Sequence, residues 1–320
     1  NASGGILGKE VVLVVEDEID TLQTSVNATA KLLENKELAC ILGSQYSSRV
    51  LSTIDVINDG AIPFFTFGSS KALLDANCEW LWMMRVADSF TGIGIAKYVN
   101  ESLNCKNPAI IYSSDAFGEG LYDVVVASLA EKGVNVDKNI SFGVASDETN
   151  VTPQLTQIVN SKADCLIALG TNIAPYIVNQ AADIGISIPC VGSMSFANQT
   201  VFTQCGKNSD GWYALSEWST DVKHTESQNY MDYVMEKYGS LDTTGQPGAY
   251  DAMFVFKAAC EAAGTTTDPA AINAAIGKTS GLTGASGALA ANGTHCLCTE
   301  LIVTQNKDLA AKVIDRVKVR

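Results

Sequence analysis

Three short apolar runs open the chain, VVLVV (11–15), ACILG (39–43) and IPFFTF (62–67), and the stretches between them, TLQTSVNATAKLLENK and SRVLSTIDVIND, have helical spacing. Runs this short and this rich in β-branched and aromatic residues read as buried strands. Adjacent strands joined through helices must run parallel, because a parallel pair needs a crossover of a dozen or more residues. After WLWMMRVAD a second series begins: NPAIIYSS (107–114), a helix from 118 to 132, NISFGV, a helix around QLTQIVNS, ADCLIALG (163–170), APYIVNQAADIG and IPCVGSM (188–194). The fold class expected is therefore α/β, with two doubly wound, Rossmann-like lobes.

From Trp218 the pattern changes. Two strongly helical stretches, TESQNYMDYVMEKYG and AYDAMFVFKAACEAAG, lead into the Gly-rich TSGLTGASGALAANGT. The strands CTELIVTQ and AKVIDRVKV follow, and the polar NKDLA between them predicts a hairpin. There is no repeat of fixed period and no low-complexity linker, so several chain crossings are expected to join the lobes.

At 320 residues and 47% hydrophobic content the chain can bury a large core, and the length suggests about two domains. Its 21 Lys and Arg against 35 Asp and Glu give a net charge of −14, which repels phosphate backbones and anionic lipid surfaces. A nucleic-acid partner is excluded on that ground. No apolar run approaches the roughly 18 to 20 residues of a membrane span, and NASGGILGKE lacks the basic and apolar regions of a signal peptide. Gly4 and Gly5 just ahead of an apolar run read as the end of a helix, so an element upstream of Asn1 is expected.

The nine cysteines, an odd number at irregular spacing, do not form a disulfide framework. Cys40, Cys165 and Cys190 lie in strand runs, where a thiol behaves as a small hydrophobe. Cys78, Cys105 and Cys205 lie in polar loops and are the ones expected to be open to oxidation; a reducing or anaerobic setting fits the count.

In wound α/β sheets, ligands sit at the carboxyl ends of strands, where loops enter helices. Ser47 and Ser48 occupy one such place, and Ser69 and Ser70 another. Gly68, without a Cβ, lets backbone amides approach a ligand, and a carboxylate matches such a set of donors. The competing reading makes these serines helix caps. Neither completes a capping box, since Val50 and Leu73 stand three residues after Ser47 and Ser70.

Catalytic patterns are missing. His224 and His295 are the only histidines; neither is in an HExxH motif, and His295 with Cys296 and Cys298 lacks zinc spacing. GKTS (277–280) imitates the end of a phosphate-binding loop, but Ile272 stands where that loop needs glycine and the upstream segment is helical. No GxSxG elbow occurs. No catalytic residue, metal or cofactor is expected. Tyr46, Phe67, Phe117, Phe196, Trp212 and Trp218 lie near strand ends, as pocket walls or as core, and Tyr250 and Asp251 open a helix, facing a ligand or capping it.

Taken together, ILGSQYSS, IPFFTFGSS, MMRVADSF, AIIYSSDAFGEGL, ADCLIALG, QAADIGISIPCVGS, SDGWY and the AYDA helix resemble the type I periplasmic solute-binding proteins of ABC transporters, in particular the branched-chain amino-acid (Leu/Ile/Val-binding) group. The resemblance implies two lobes, residues 1–87 with 218–287 and residues 88–217 with 288–320, joined by three crossovers and closing on a ligand by a hinge. It implies that positions matching Ser47, Gly68 and Ser70 hold an amino acid's carboxylate and ammonium, that Phe117 closes over the ligand from the second lobe, and that Thr171 is a further contact; Ser69 is expected beside them, with Tyr46 and Phe196 as further walls. An extracytoplasmic, non-enzymatic and monomeric protein is implied, in the periplasm or lipid-anchored at the cell surface, passing its solute to an ABC permease. The alternative is a receptor domain of the same fold that signals to a different partner.

Two departures from the family stand out. Met194 occupies a position usually acidic, and it cannot pair with an ammonium, whose uncompensated burial costs several kcal/mol. Either Asp251, Asp115 or another carboxylate substitutes, or the ligand has no α-ammonium. Thr171 also replaces a frequent tyrosine and leaves more room. The second departure is the absence of the family's first strand and helix, the strand being central between VVLVV and ACILG. Those two runs are then expected to sit about 10 Å apart, twice the inter-strand spacing, or to have the gap filled from elsewhere.

Overall fold

A computed structural model describes residues 1, 4–241 and 246–318. The chain forms two compact units, Asn1–Ala87 with Gly245–Thr299 and Asp88–Thr244 with Glu300–Arg320, and so passes between them three times. The strands among the described residues are β1 (Ile41–Gly43), β2 (Phe64–Thr66), β3 (Leu81–Met83), β4 (Pro108–Ser113), β5 (Ser141–Val144), β6 (Cys165–Leu169), β7 (Cys190–Gly192), β8 (Tyr213–Ser216), β9 (Leu282–Gly284), β10 (Gly287–Leu289), β11 (Glu300–Lys307) and β12 (Ala310–Lys318).

In the first unit β1, β2 and β3 form a parallel sheet in that order. Phe65 and Met83 are fully buried in it. The segment after the β9–β10 hairpin lies along the far side of β3, where Met83 N donates to His295 O (2.7 Å) and Leu297 N donates to Met83 O (2.8 Å). The single helix expected over SRVLSTIDVIND is two, Ser47–Ser52 and Ile54–Gly60. Thr53 divides them: its hydroxyl donates to Val50 O (2.8 Å), a local bond that competes with the helical ladder.

The second unit has a seven-stranded sheet in the order β12-β11-β8-β7-β6-β4-β5. β8, β7, β6, β4 and β5 are parallel, while β11 runs antiparallel to both β8 and β12. Every residue of β6 is buried, the burial expected of a central strand covered on both faces. The expected C-terminal hairpin is present, with Asp308 and Leu309 at φ 51° and 60° making its tight turn.

The sequence expectation and the fold part company at two places. VVLVV (11–15) is not a strand: it makes no ladder among the described residues, and Val12, Leu13 and Val15 are 76%, 80% and 75% exposed. β1 pairs with β2 alone and is the edge of its sheet, so no segment fills the expected gap among the described residues. A strand is held by its neighbours' hydrogen bonds, and apolar composition without a neighbour does not make one. The unit boundaries also lie later than expected, at Gly245 and Thr299 instead of 218 and 288. Residues 218–244 stay with the second unit because Ser219 Oγ donates to Ala311 O (3.1 Å) and Val313 N donates to Asp221 Oδ2 (3.1 Å), while residues 295–297 are bound to β3.

Phe65→Ala, at the centre of β2, is expected to cost about 3–5 kcal/mol, whereas Leu13→Ser should stay within about 0.5 kcal/mol. Urea unfolding of both variants checks the contrast.

Candidate functional site: hydroxyl clusters at the strand ends

In the first unit the loops after β1 and β2 meet at Ser47. This serine is not a helix cap: Tyr46 holds the cap position and makes no side-chain cap bond. The Ser47 hydroxyl instead accepts from the amides of Ser69 (3.3 Å) and Ser70 (3.2 Å), tying the two loops together. Gly68 permits the approach, since a Cβ there would lie 3.1 Å from Ser47 Oγ and 3.2 Å from Ser47 Cα. Ser70 is a cap, its hydroxyl accepting from Ala72 N (3.3 Å). Ser69 is fully buried, and its hydroxyl has no hydrogen-bond partner among the described residues.

The amides expected to face a ligand are thus already engaged, Gly68 N by Thr66 Oγ1 (3.0 Å) and the next two by Ser47. Not engaged in these bonds are the hydroxyl hydrogens of Ser47 and Ser69, both buried. Around them a polar frame was not legible beforehand. Thr66 Oγ1 donates to Ser44 O (3.0 Å), and Ser44 Oγ donates to Glu18 (3.0 Å). Arg49 binds Glu18 (3.0 Å) and Asp20 while its guanidinium lies 4.4 Å from the Tyr46 ring centre. The only sequence signal for this frame is the acidic run EDEID (16–20), from which no pairing can be read.

Asp251 is placed elsewhere. Its carboxylate is fully buried and accepts from Ala285 N (2.6 Å), Ser286 N (2.9 Å) and Ser286 Oγ, so it holds the β9–β10 turn. Gly284 is required there, because a Cβ would lie 2.4 Å from the Asp251 carboxyl carbon.

In the second unit the ends of β4, β6 and β7 carry Ser113, Thr171, Ser193, Met194 and Ser195. Ser193 Oγ donates to Gly170 O (3.2 Å), and Ser195 Oγ donates to Thr171 Oγ1 (3.4 Å). Ser113 is buried and its hydroxyl has no hydrogen-bond partner among the described residues; a Cβ on Gly118 would lie 2.4 Å from it, and one on Gly170 3.1 Å. Asp115 caps the helix Ala116–Glu131, its Oδ1 accepting from Phe117 N (3.0 Å) and Gly118 N (2.8 Å). Phe117 is half-buried and Met194 is 7% exposed. Phe196, offered as a wall, is core instead: it is fully buried and stacked on Trp212 with ring centres 5.1 Å apart. Trp218 likewise packs edge-on against Tyr230.

The histidines have structural partners. His224 caps the helix Thr225–Tyr238, and His295 stacks on Trp82 at 4.2 Å with its Nδ1 bonded to Leu81 O. GKTS follows the helix Pro269–Ile276, not a strand, as a phosphate loop would require.

Each unit thus carries, at the carboxyl end of a parallel strand, a buried hydroxyl without a hydrogen-bond partner among the described residues, Ser69 and Ser113. The chain belongs to the periplasmic binding protein family, whose sequence profile matches residues 1–305; the family is one of binding proteins, not enzymes. Among curated relatives, an amino acid binding protein of Pseudomonas aeruginosa is 26% identical over 166 residues, 51% of this chain and 44% of that protein. The Leu/Ile/Val-binding protein BraC3 of Rhizobium johnstonii is 23% identical over 278 residues, 86% of this chain and 74% of that one. The match thus spans less than half the length of the first. A leucine binding protein, LivK, from Thermotoga maritima superposes with a TM-score of 0.90 at 20% identity, covering 99% of this chain and 90% of that one. A solute-binding protein from R. palustris in complex with benzoate superposes at 0.89 and 16% identity, over 99% and 88%. These likenesses show the fold.

Asp251→Ala strips three donors of their acceptor inside the first unit and is expected to cost about 3 kcal/mol or more. Chemical denaturation measures the loss.

Proposed function

We propose that the protein binds a small carboxylate-bearing solute, an amino acid or a related acid, outside the cytoplasm, closes its two units on it and delivers it to an ABC importer. The observation that carries this reading is the pair of hydroxyls in the first unit. Ser69 is fully buried with its hydroxyl unpartnered, and Ser47, already accepting two amides, has a hydrogen left to donate. A buried hydroxyl without a partner costs about 1–3 kcal/mol. A carboxylate oxygen accepting from it turns that cost into affinity.

The two kinds of acid named among the similar proteins, branched-chain amino acids and benzoate, differ in the ammonium. Met194 brings no charge to the second unit's strand ends, and Asp251 is committed to its turn. Asp115 is the carboxylate left beside them, with its cap bonds made through Oδ1. An α-ammonium, if the solute has one, is therefore assigned to Asp115, with Phe117 and Thr171 as neighbouring contacts.

A thermal-shift screen of amino acids and aromatic acids tests the reading, since a true ligand at a thousand times Kd adds about 4 kcal/mol. Ser47→Ala and Ser69→Ala should each weaken the hit about tenfold. Asp115→Asn should weaken α-amino acids and spare plain carboxylates. Unchanged affinity in both serine variants, or no shift with any carboxylate, contradicts the proposal.

A further inference from the structure

We propose that Cys105 and Cys165, in the second unit, are a thiol pair that closes to a disulfide when the protein meets a peroxide. Cys105 lies in the segment leading into β4, its amide bonded to Val99 O (3.0 Å), and Cys165 is the first residue of β6, in register with Pro108. Their sulfurs and a carboxylate oxygen of Asp164 all lie within 4.8 Å of one another. A disulfide requires the two sulfurs to close from within 4.8 Å to about 2.05 Å. The Asp164 carboxylate is spoken for: Oδ2 accepts from Lys106 N (2.6 Å) and Oδ1 from Asn107 N (2.9 Å). Those bonds engage the carboxylate with the backbone of residues 106 and 107, so the two thiols are the groups of this cluster left to react.

Several other thiols make shorter contacts than Cys105, whose Sγ lies 3.8 Å from Leu103 O and 3.9 Å from Asp164 O. Cys78 donates to Asn58 (3.1 Å), Cys205 to Pro175 O (3.4 Å), Cys296 to Arg85 O (2.9 Å) and Cys298 to Met84 O (2.8 Å). Burial pushes Cys40 and Cys190 up to about 12, and Cys205 and Cys260 up to about 11. Cys105 moves the other way, because the Cys165 thiol hydrogen-bonds to its sulfur; the same bond, with burial, raises Cys165. Cys105, 3% exposed where Cys165 is fully buried, is assigned as the sulfur that attacks, and Cys165 as the one that resolves.

The chemistry balances with one hydrogen peroxide. The Cys105 thiolate attacks one peroxide oxygen, the O–O bond breaks, and Cys105 sulfenic acid and hydroxide form. The Cys165 sulfur then attacks the Cys105 sulfur and displaces the hydroxyl, which leaves as water with the Cys165 proton. Two thiols are oxidised and one peroxide is reduced. The crosslink sits at the amino ends of β4 and β6, while Ser113 and Gly170 lie at their carboxyl ends, so the hydroxyl cluster stays open.

The test uses the full chain, treated with stoichiometric hydrogen peroxide, alkylated and digested for mass spectrometry. The expected result is a peptide joining Cys105 to Cys165 and a melting temperature raised by several degrees, as a closed loop of about 60 residues implies, both reversed by dithiothreitol. Cys105→Ser should abolish the crosslink, and Cys165→Ser should leave a sulfenic acid at Cys105 that dimedone captures. Should either variant fail to fold, the peptide map of the unaltered protein decides alone. Alkylation of both cysteines after peroxide, a different pairing, or a zinc ion that shields both thiols until it is chelated overturns the proposal.

Discussion

The Ser47 hydroxyl is the joint on which the first unit's strand ends depend. It accepts from the amides of Ser69 and Ser70 and so fixes the loop after β2 against the loop after β1. Gly68 makes the contact possible by leaving room where a Cβ would press on Ser47. With the amides taken inward, the chemistry presented by these loops is that of hydroxyl groups. The helices that follow, Ser47–Ser52 and Lys71–Asp75, are short, so little of the cluster's polarity comes from helix dipoles.

Charge is arranged with similar economy. The chain carries a net charge of −14, yet its buried carboxylate in the first unit, Asp251, is surrounded by donors and held as a structural anchor. Arg49 is likewise spent on Glu18 and Asp20. The hydroxyls of Ser47 and Ser69, the donors of the proposed site, are therefore neutral. In the second unit Met194 brings no charge to the strand ends, and Asp115 caps its helix.

Much of this was legible in the sequence, for a physical reason. β4 and β6 are buried on both faces, so NPAIIYSS and ADCLIALG are continuous apolar runs that resemble nothing else, and both strands lie within those bounds. The C-terminal hairpin showed itself through its polar turn. VVLVV was misleading because composition reports burial and β-propensity, whereas a strand also needs a neighbour. Ser47 could be placed at a strand end but not distinguished from a cap, since that depends on a partner 22 residues away. Phe196 and Asp251 were ambiguous for the same reason: a stacked Trp212 and a hairpin turn 34 residues on decide what they do.

On the proposed function, hydroxyls at the strand ends recognise a carboxylate as such. Calorimetric titration of a bound acid against its neutral primary amide tests this most directly, because the two differ in charge and acceptor capacity and little in shape. The account predicts that the amide binds at least about tenfold more weakly, the loss of roughly one charge-assisted hydrogen bond. Equal affinity for acid and amide would contradict it.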